Sequence, residues 1–251
     1  MRPSAKRPDE PAEIIQGVRA GLAVLARRPD DIQRVTFSRS VRPAVDKLVR
    51  WAASRQIACV EASDREIERV AGSTLHEGLV MTCRPRRWGS VQELADALAK
   101  TQGTAIALER VRNPYNVGGI LRTAAFFGVD AVLLGAPAPN PGLQPLAIRV
   151  AEGGAENVLL ARTTDLATTL ASLRSRGVAV VGADAASRVS VFDFSWPRPT
   201  MLVVGHEREG LGARVRAACD AVVSIPGAGQ VESLNVSAAA GVLIALMLAR
   251  R

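Results

Sequence analysis

From Thr104 onward, short apolar runs alternate with longer stretches whose apolar residues recur every three or four positions. The short runs are 105–108, 131–134, 158–161, 178–181, 201–204 and 221–225. They are apolar throughout, without an alternating polar face, as expected of strands covered on both sides in a parallel sheet. The longer stretches, 117–127, 166–176, 211–218 and 233–248, predict helices. Upstream, the spacing of Ile15, Val18, Leu22 and Leu25 predicts a helix over 14–28, stopped by Pro29-Asp30-Asp31. A strand at 35–37, a helix at 43–54, a strand at 57–60, a short helix at 64–70 capped by Asp64, and a strand at 79–83 complete a small αβαβαβ unit. Ser90 and Glu93 form a capping-box pair for a helix over 91–100. The expected organisation is a disordered tail over 1–13, a small α/β domain over 14–87, a linker and helix over 88–100, and a larger α/β domain over 101–251.

Composition narrows the chemistry. The chain has 251 residues, is 48% hydrophobic and carries a formal charge of +8. Residues 1–100 hold 18 basic against 13 acidic side chains, and the remainder 14 against 11, so both halves suit a polyanionic partner. Three cysteines with no CxxC pair and two histidines with no HExxH argue against a disulfide framework or a metal site. The first residues contain no apolar leader segment, and the apolar run 236–249 is too short to span a bilayer, so a cytoplasmic protein is expected.

Ligands of an open parallel sheet bind beyond the carboxyl ends of the strands. No GxGxxG follows the first strand and there is no GxxxxGK[ST], which excludes the usual dinucleotide and P-loop sites. Three other loops are rich in glycine and small polar residues. The first is Asn113-Pro114-Tyr115-Asn116-Val117-Gly118-Gly119-Ile120-Leu121-Arg122. Asn116 stands where a helix cap belongs. Arg122 interrupts an apolar helix; it either snorkels or binds an anion, and its place near the ligand edge favours the anion. The second loop runs from Gly205 through His206, Glu207 and Glu209 to Gly212. The third runs from Ile225-Pro226-Gly227 through Ser233-Leu234-Asn235 into the last helix. Glycine-rich loops let a backbone approach a flat ligand closely.

In this order and spacing, NPYNVGGILRTA, LVVGHEREGLG and IPGAGQVESLNVSAAAGV resemble the three motifs of the TrmH/SpoU family of RNA 2′-O-ribose methyltransferases, within the SPOUT superfamily. His76-Glu77-Gly78 is similar to the His-Gln-Gly of that family's substrate-binding domain. The resemblance implies a parallel-sheet α/β SPOUT fold with a C-terminal trefoil knot, preceded by a small α/β substrate-binding domain. It implies S-adenosylmethionine as cofactor, held by Gly205, Ile225 and Leu234. It carries Asn116, Arg122, Glu207, Ser233 and Asn235 over as active residues, with Arg122 acting at the ribose hydroxyl. It further implies a homodimer acting on structured RNA, rRNA or tRNA, without metal. Two departures stand out: Asn113 where Asp is usual, and Glu152-Gly153-Gly154-Ala155 in place of a Ser-x-Gly-Ala element. A non-catalytic RNA-binding relative and a tRNA base methyltransferase are the competing readings.

Arg39, Arg42, Arg50 and Arg55 are candidate phosphate contacts or solvated surface. His76 is a contact or a structural histidine. Cys59 and Cys83 are expected as small core residues rather than nucleophiles.

Overall fold

The computed structural model describes residues 11–135, 143–206 and 209–249. The expected disordered tail falls largely outside them. The described chain divides after Arg87 into two compact units.

The first unit contains β1 (Glu13–Gln16), α1 (Val18–Arg27), β2 (Ile32–Phe37), α2 (Arg42–Ser54), β3 (Ala58–Glu61), α3 (Asp64–Ala71) and β4 (Leu79–Cys83). They form a four-stranded sheet of order β1-β4-β2-β3, with β4 antiparallel to both neighbours and β2 parallel to β3. The helix expected over 14–28 is thus a strand followed by a helix. Gly17, at φ 91°, breaks the helical run and donates its N–H to the Leu79 carbonyl at 3.0 Å. Ile15 is fully buried on β1, so one apolar residue serves two periodicities, and pairing with β4 decides between them.

Ser63, not Asp64, holds the cap position of α3; its N–H and hydroxyl both donate to Glu66 Oε2, at 2.8 and 2.6 Å. His76 is buried, and its Nδ1 accepts from the Gly78 N–H at 3.0 Å in a turn where Glu77 and Gly78 both have positive φ. That geometry makes it a structural histidine. Of the candidate phosphate contacts, Arg42 and Arg55 lie over the rings of Phe37 and Trp51. Arg50 pairs with Asp46 along α2.

The second unit starts with Trp88 and Gly89 packed on the sheet: the Gly89 N–H donates to the Leu160 carbonyl at 2.7 Å, and the Arg162 guanidinium covers the Trp88 ring. Ser90 caps α4 (Val91–Thr101) in a capping box with Glu93. There follow β5 (Thr104–Glu109), α5 (Pro114–Phe127), β6 (Ala131–Gly135), α6 (Pro145–Val150), a 3-10 turn (Gly154–Glu156), β7 (Leu159–Thr163), α7 (Leu166–Arg174), β8 (Ala179–Ala183), β9 (Thr200–Val204), α8 (Ala213–Ala217), β10 (Ala221–Val223) and α9 (Val236–Ala249). All six strands are parallel, in the order β10-β8-β9-β5-β6-β7.

Two apolar layers sandwich this sheet. Ile106 and Leu108 of β5 face the layer that holds Ile120, Leu121, Leu243, Ile244 and Met247 of α5 and α9. Ala105 and Ala107 face the opposite layer, with Leu94 and Leu98 of α4 and Leu170 and Leu173 of α7. A central strand buried on both faces explains the unbroken apolar runs. α6 has no counterpart in the sequence reading: its six residues are too few to establish a helical period.

Candidate active site

The carboxyl ends of β8, β9 and β10 open onto a cavity of about 730 Å³. Its floor is apolar, with Val204, Val223 and Leu243, and its walls include Gly205, Gly210, Ile225, Ser233 and Leu234. The three expected cofactor positions, Gly205, Ile225 and Leu234, therefore share one cavity, and Ser233 joins them.

Loop geometry follows from glycine. A Cβ on Gly205 would lie 2.3 Å from the Gly210 carbonyl oxygen. The loop closes through His206 N–H to Gly210 O at 3.2 Å and Gly210 N–H to His206 O at 2.9 Å, with Gly210 at φ 62°. No side chain fits at 205, and the bare backbone there forms part of the cavity wall. Two further contacts tie this loop to the end of β5 and the residue after it: the Gly212 N–H donates to buried Glu109 at 3.0 Å, and Arg110 pairs with Glu209. Asp184, Glu209 and Glu232 place carboxylates around the cavity, and Asp184 pairs with Arg216 of α8. Asp184 was not singled out from the sequence, because only the β8–β9 pairing brings it to the same opening as Glu209 and Gly210 of the second loop.

The first motif is explained by packing. Asn113, rather than Asn116, caps α5, its Oδ1 accepting from the Tyr115 N–H at 2.9 Å. Pro114 then occupies the first turn. Asn116 is buried inside that turn, and its Oδ1 accepts from Asn235 Nδ2 at 3.0 Å. Asn235 in turn accepts from the Ser237 N–H at 2.9 Å and so starts α9, three residues later than the apolar pattern predicts. A Cβ on Gly119 would sit 2.5 Å from Ser237 Oγ, and one on Gly118 2.6 Å from the Ala147 carbonyl. The Gly-Gly pair lets α5 fit between α9 and α6 and brings the two asparagines within bonding distance. Asn235→Ala is expected to cost about 1–3 kcal/mol, losing a cap and the hydrogen bond that Asn116 Oδ1 accepts from it; chemical denaturation measures it.

Arg122 does not line the cavity. Six residues beyond Asn116, it is turned roughly 120° away from the face that meets α9. Its side chain is 54% exposed, with Nη1 2.9 Å from Glu152 Oε1. Gly154 sets this pair: a Cβ there would meet the Leu121 carbonyl at 2.6 Å and Arg122 Cα at 2.9 Å. The Glu-Gly-Gly-Ala departure is therefore a contact with α5. Glu207 lies outside the described residues.

The cysteines offer no nucleophile. Cys83 is buried as expected, whereas Cys59 lies half-buried on the edge strand β3 rather than in the core; partial burial raises its thiol, against the lowering effect of Arg42. Burial, with Asp220 and Glu109 nearby, pushes Cys219 up to about 11. Among the described residues no group of three His, Cys, Asp or Glu side chains could hold a metal, and no helix is long and apolar enough to cross a membrane.

Comparison with known proteins agrees with this geometry. Residues 103–245 match the SpoU rRNA Methylase family, and residues 14–88 match the RNA 2′-O ribose methyltransferase substrate binding family. An uncharacterized tRNA/rRNA methyltransferase of Mycobacterium avium (strain 104) is 34% identical over 246 residues, covering 97% of this chain and 79% of that protein. The chain belongs to the SpoU RNA methylase family. Its fold is shared with the SpoU methyltransferase AviRb from Streptomyces viridochromogenes, solved in complex with AdoMet, at a TM-score of 0.79 and 20% identity over 95% of this chain and 90% of that one. It is shared equally with the AdoMet-bound rRNA methyltransferase from Sinorhizobium meliloti, at a TM-score of 0.79 and 22% identity over 95% and 87%.

Proposed function

We propose that this protein transfers a methyl group from S-adenosylmethionine to a ribose 2′-hydroxyl of rRNA or tRNA. The observation that carries the reading is the cavity bounded by Gly205, Ile225 and Leu234, beside the bonded pair Asn116–Asn235. Its volume of about 730 Å³ suits a small-molecule cofactor. Its apolar floor and bare Gly205 backbone fit a flat heterocycle, and the Glu232 carboxylate in its lining adds a negative charge at the opening. The AdoMet bound by AviRb and by the Sinorhizobium enzyme supports the same assignment.

S-adenosylmethionine supplies a methyl group activated by its sulfonium charge. The protein's part is to hold the acceptor in line and ease loss of the hydroxyl proton. Arg122 is the residue assigned to the acceptor. Guanidinium stays protonated, with a pKa above ~12, so it is not the base. Its role is to clamp a backbone phosphate and stabilise negative charge growing on the 2′-oxygen. Asn116 and Asn235 are assigned to orienting the hydroxyl or Arg122, and Ser233 to shaping the cavity wall. Glu207 belongs to this set by resemblance and is assigned to holding its loop.

The reading includes a homodimer and a C-terminal trefoil knot. Arg122 is exposed and stands off the cavity of its own chain, so a site completed between two copies accounts for its position. The test is ribose-methylation mapping of rRNA and tRNA from a deletion strain against wild type. One resident 2′-O-methyl group is expected to vanish and to return on complementation. An unchanged ribose-methylation map, or loss of a base methyl instead, overturns the reading.

A further inference from the structure

The Glu152–Arg122 pair combines two features that a surface ion pair does not need. Glu152 has φ 46°, in the left-handed region that glutamate rarely adopts and that carries an energetic cost. It is followed by Gly153 at φ 91° and by Gly154, whose missing Cβ allows the backbone to rest on α5 at Leu121 and Arg122. Three consecutive residues therefore adopt special geometry or close packing, and the result is one carboxylate 2.9 Å from Arg122 Nη1. Glycine at 152 would relieve the backbone, yet the chain has glutamate. Positive φ recurs at Gln56, Glu77, Gln102 and Arg110, and what sets Glu152 apart is that its carboxylate meets the Arg122 guanidinium.

We infer that Glu152 is a positioning residue for methyl transfer: it fixes the Arg122 guanidinium so that its planar fork meets the substrate phosphate in one orientation. Held through one nitrogen and about half exposed, Arg122 still presents donors to solvent. A free arginine side chain carries several rotatable bonds, and each rotamer lost on substrate binding weakens the clamp. Glu152 removes that freedom before RNA arrives. It touches neither cavity nor acceptor in this role; it acts through Arg122.

This inference rests on the proposed role of Arg122, and its test separates the two. Single-turnover transfer of a labelled methyl group is measured to total rRNA and tRNA from a deletion strain. The chains compared are wild type, Arg122→Ala, Glu152→Gln, Glu152→Gly and the double variant Arg122→Ala/Glu152→Gly. Both Glu152 variants are expected to slow transfer by about tenfold to a hundredfold. Calorimetric affinity for S-adenosylmethionine should stay unchanged. Glu152→Gly should match or exceed the wild-type melting temperature, which a merely structural role for the glutamate would lower. The double variant should be no slower than Arg122→Ala, because the two residues act as a unit. Wild-type rates in both Glu152 variants, with Arg122→Ala inactive, overturn the inference and leave the role of Arg122 standing. Full turnover by Arg122→Ala removes both.

Discussion

Arg122→Ala is expected to abolish methyl transfer, by about a thousandfold, while leaving the folded protein and its affinity for S-adenosylmethionine intact. The two halves of this expectation have separate grounds. The activity loss follows from removing a fixed positive charge where negative charge develops on the 2′-oxygen. The intact fold follows from exposure: the side chain is 54% exposed, and a surface pair of this kind contributes about 0–1 kcal/mol. The intact affinity follows from position, since Arg122 is not part of the cavity wall. Arg122→Lys should recover only part of the rate, because an ammonium keeps the charge but not the planar fork. Single-turnover transfer, thermal melting and calorimetry on one preparation check all three. Substantial turnover in the alanine variant would sink the assignment.

Gly205→Ala is expected to do the reverse, weakening S-adenosylmethionine binding by about tenfold to a hundredfold. The added Cβ would lie 2.3 Å from the Gly210 oxygen and 2.8 Å from the Leu211 nitrogen. Both are backbone atoms that cannot swing aside, so the loop must open; overpacking of this size costs about 1–3 kcal/mol, which sets the range. Gly227→Ala is the control: a Cβ there meets nothing within 4 Å, and binding should be unchanged. Calorimetry with the three chains decides, and equal affinity for Gly205→Ala would remove loop 205–210 from the cofactor site. Mixing Gly205→Ala chains with Arg122→Ala chains adds a test of the dimer. If one copy supplies the cavity and the other the arginine, mixed dimers recover activity that neither variant has alone.

The sheet strands and most of the larger helices were legible because their signals are local. An apolar run bounded by turn residues identifies a strand such as Thr104–Glu109 whatever its neighbours are. Ser90 and Glu93 announce α4 three residues apart. Errors arose where one residue satisfies two local rules. Ile15 fits a helical stripe and a buried strand, and only the pairing with β4 selects the strand. Asn116 looks like a cap, but Asn113 takes the cap, and Asn116 is buried on α9 instead.

The site was legible as a set of loops, not as an arrangement. Gly205, Ile225 and Leu234 are far apart in the chain and meet at one cavity because β8, β9 and β10 end side by side. Glu152 looked like a departure from a pattern. Its meaning depends on Gly154 resting against the backbone of α5, a contact that no spacing rule encodes.

By itself, then, the sequence determined the alternation of strands and helices, the buried parallel sheet, the loops that carry the chemistry and the family. Those properties follow from periodicity and from residue types at short spacing, which act within a turn or a strand. The tertiary structure alone decided the strand order β10-β8-β9-β5-β6-β7, the Asn116–Asn235 bond and the separation of Arg122 from the cavity of its own chain. These depend on contacts between residues up to 119 positions apart, which exist only once the sheet has brought α5 and α9 together.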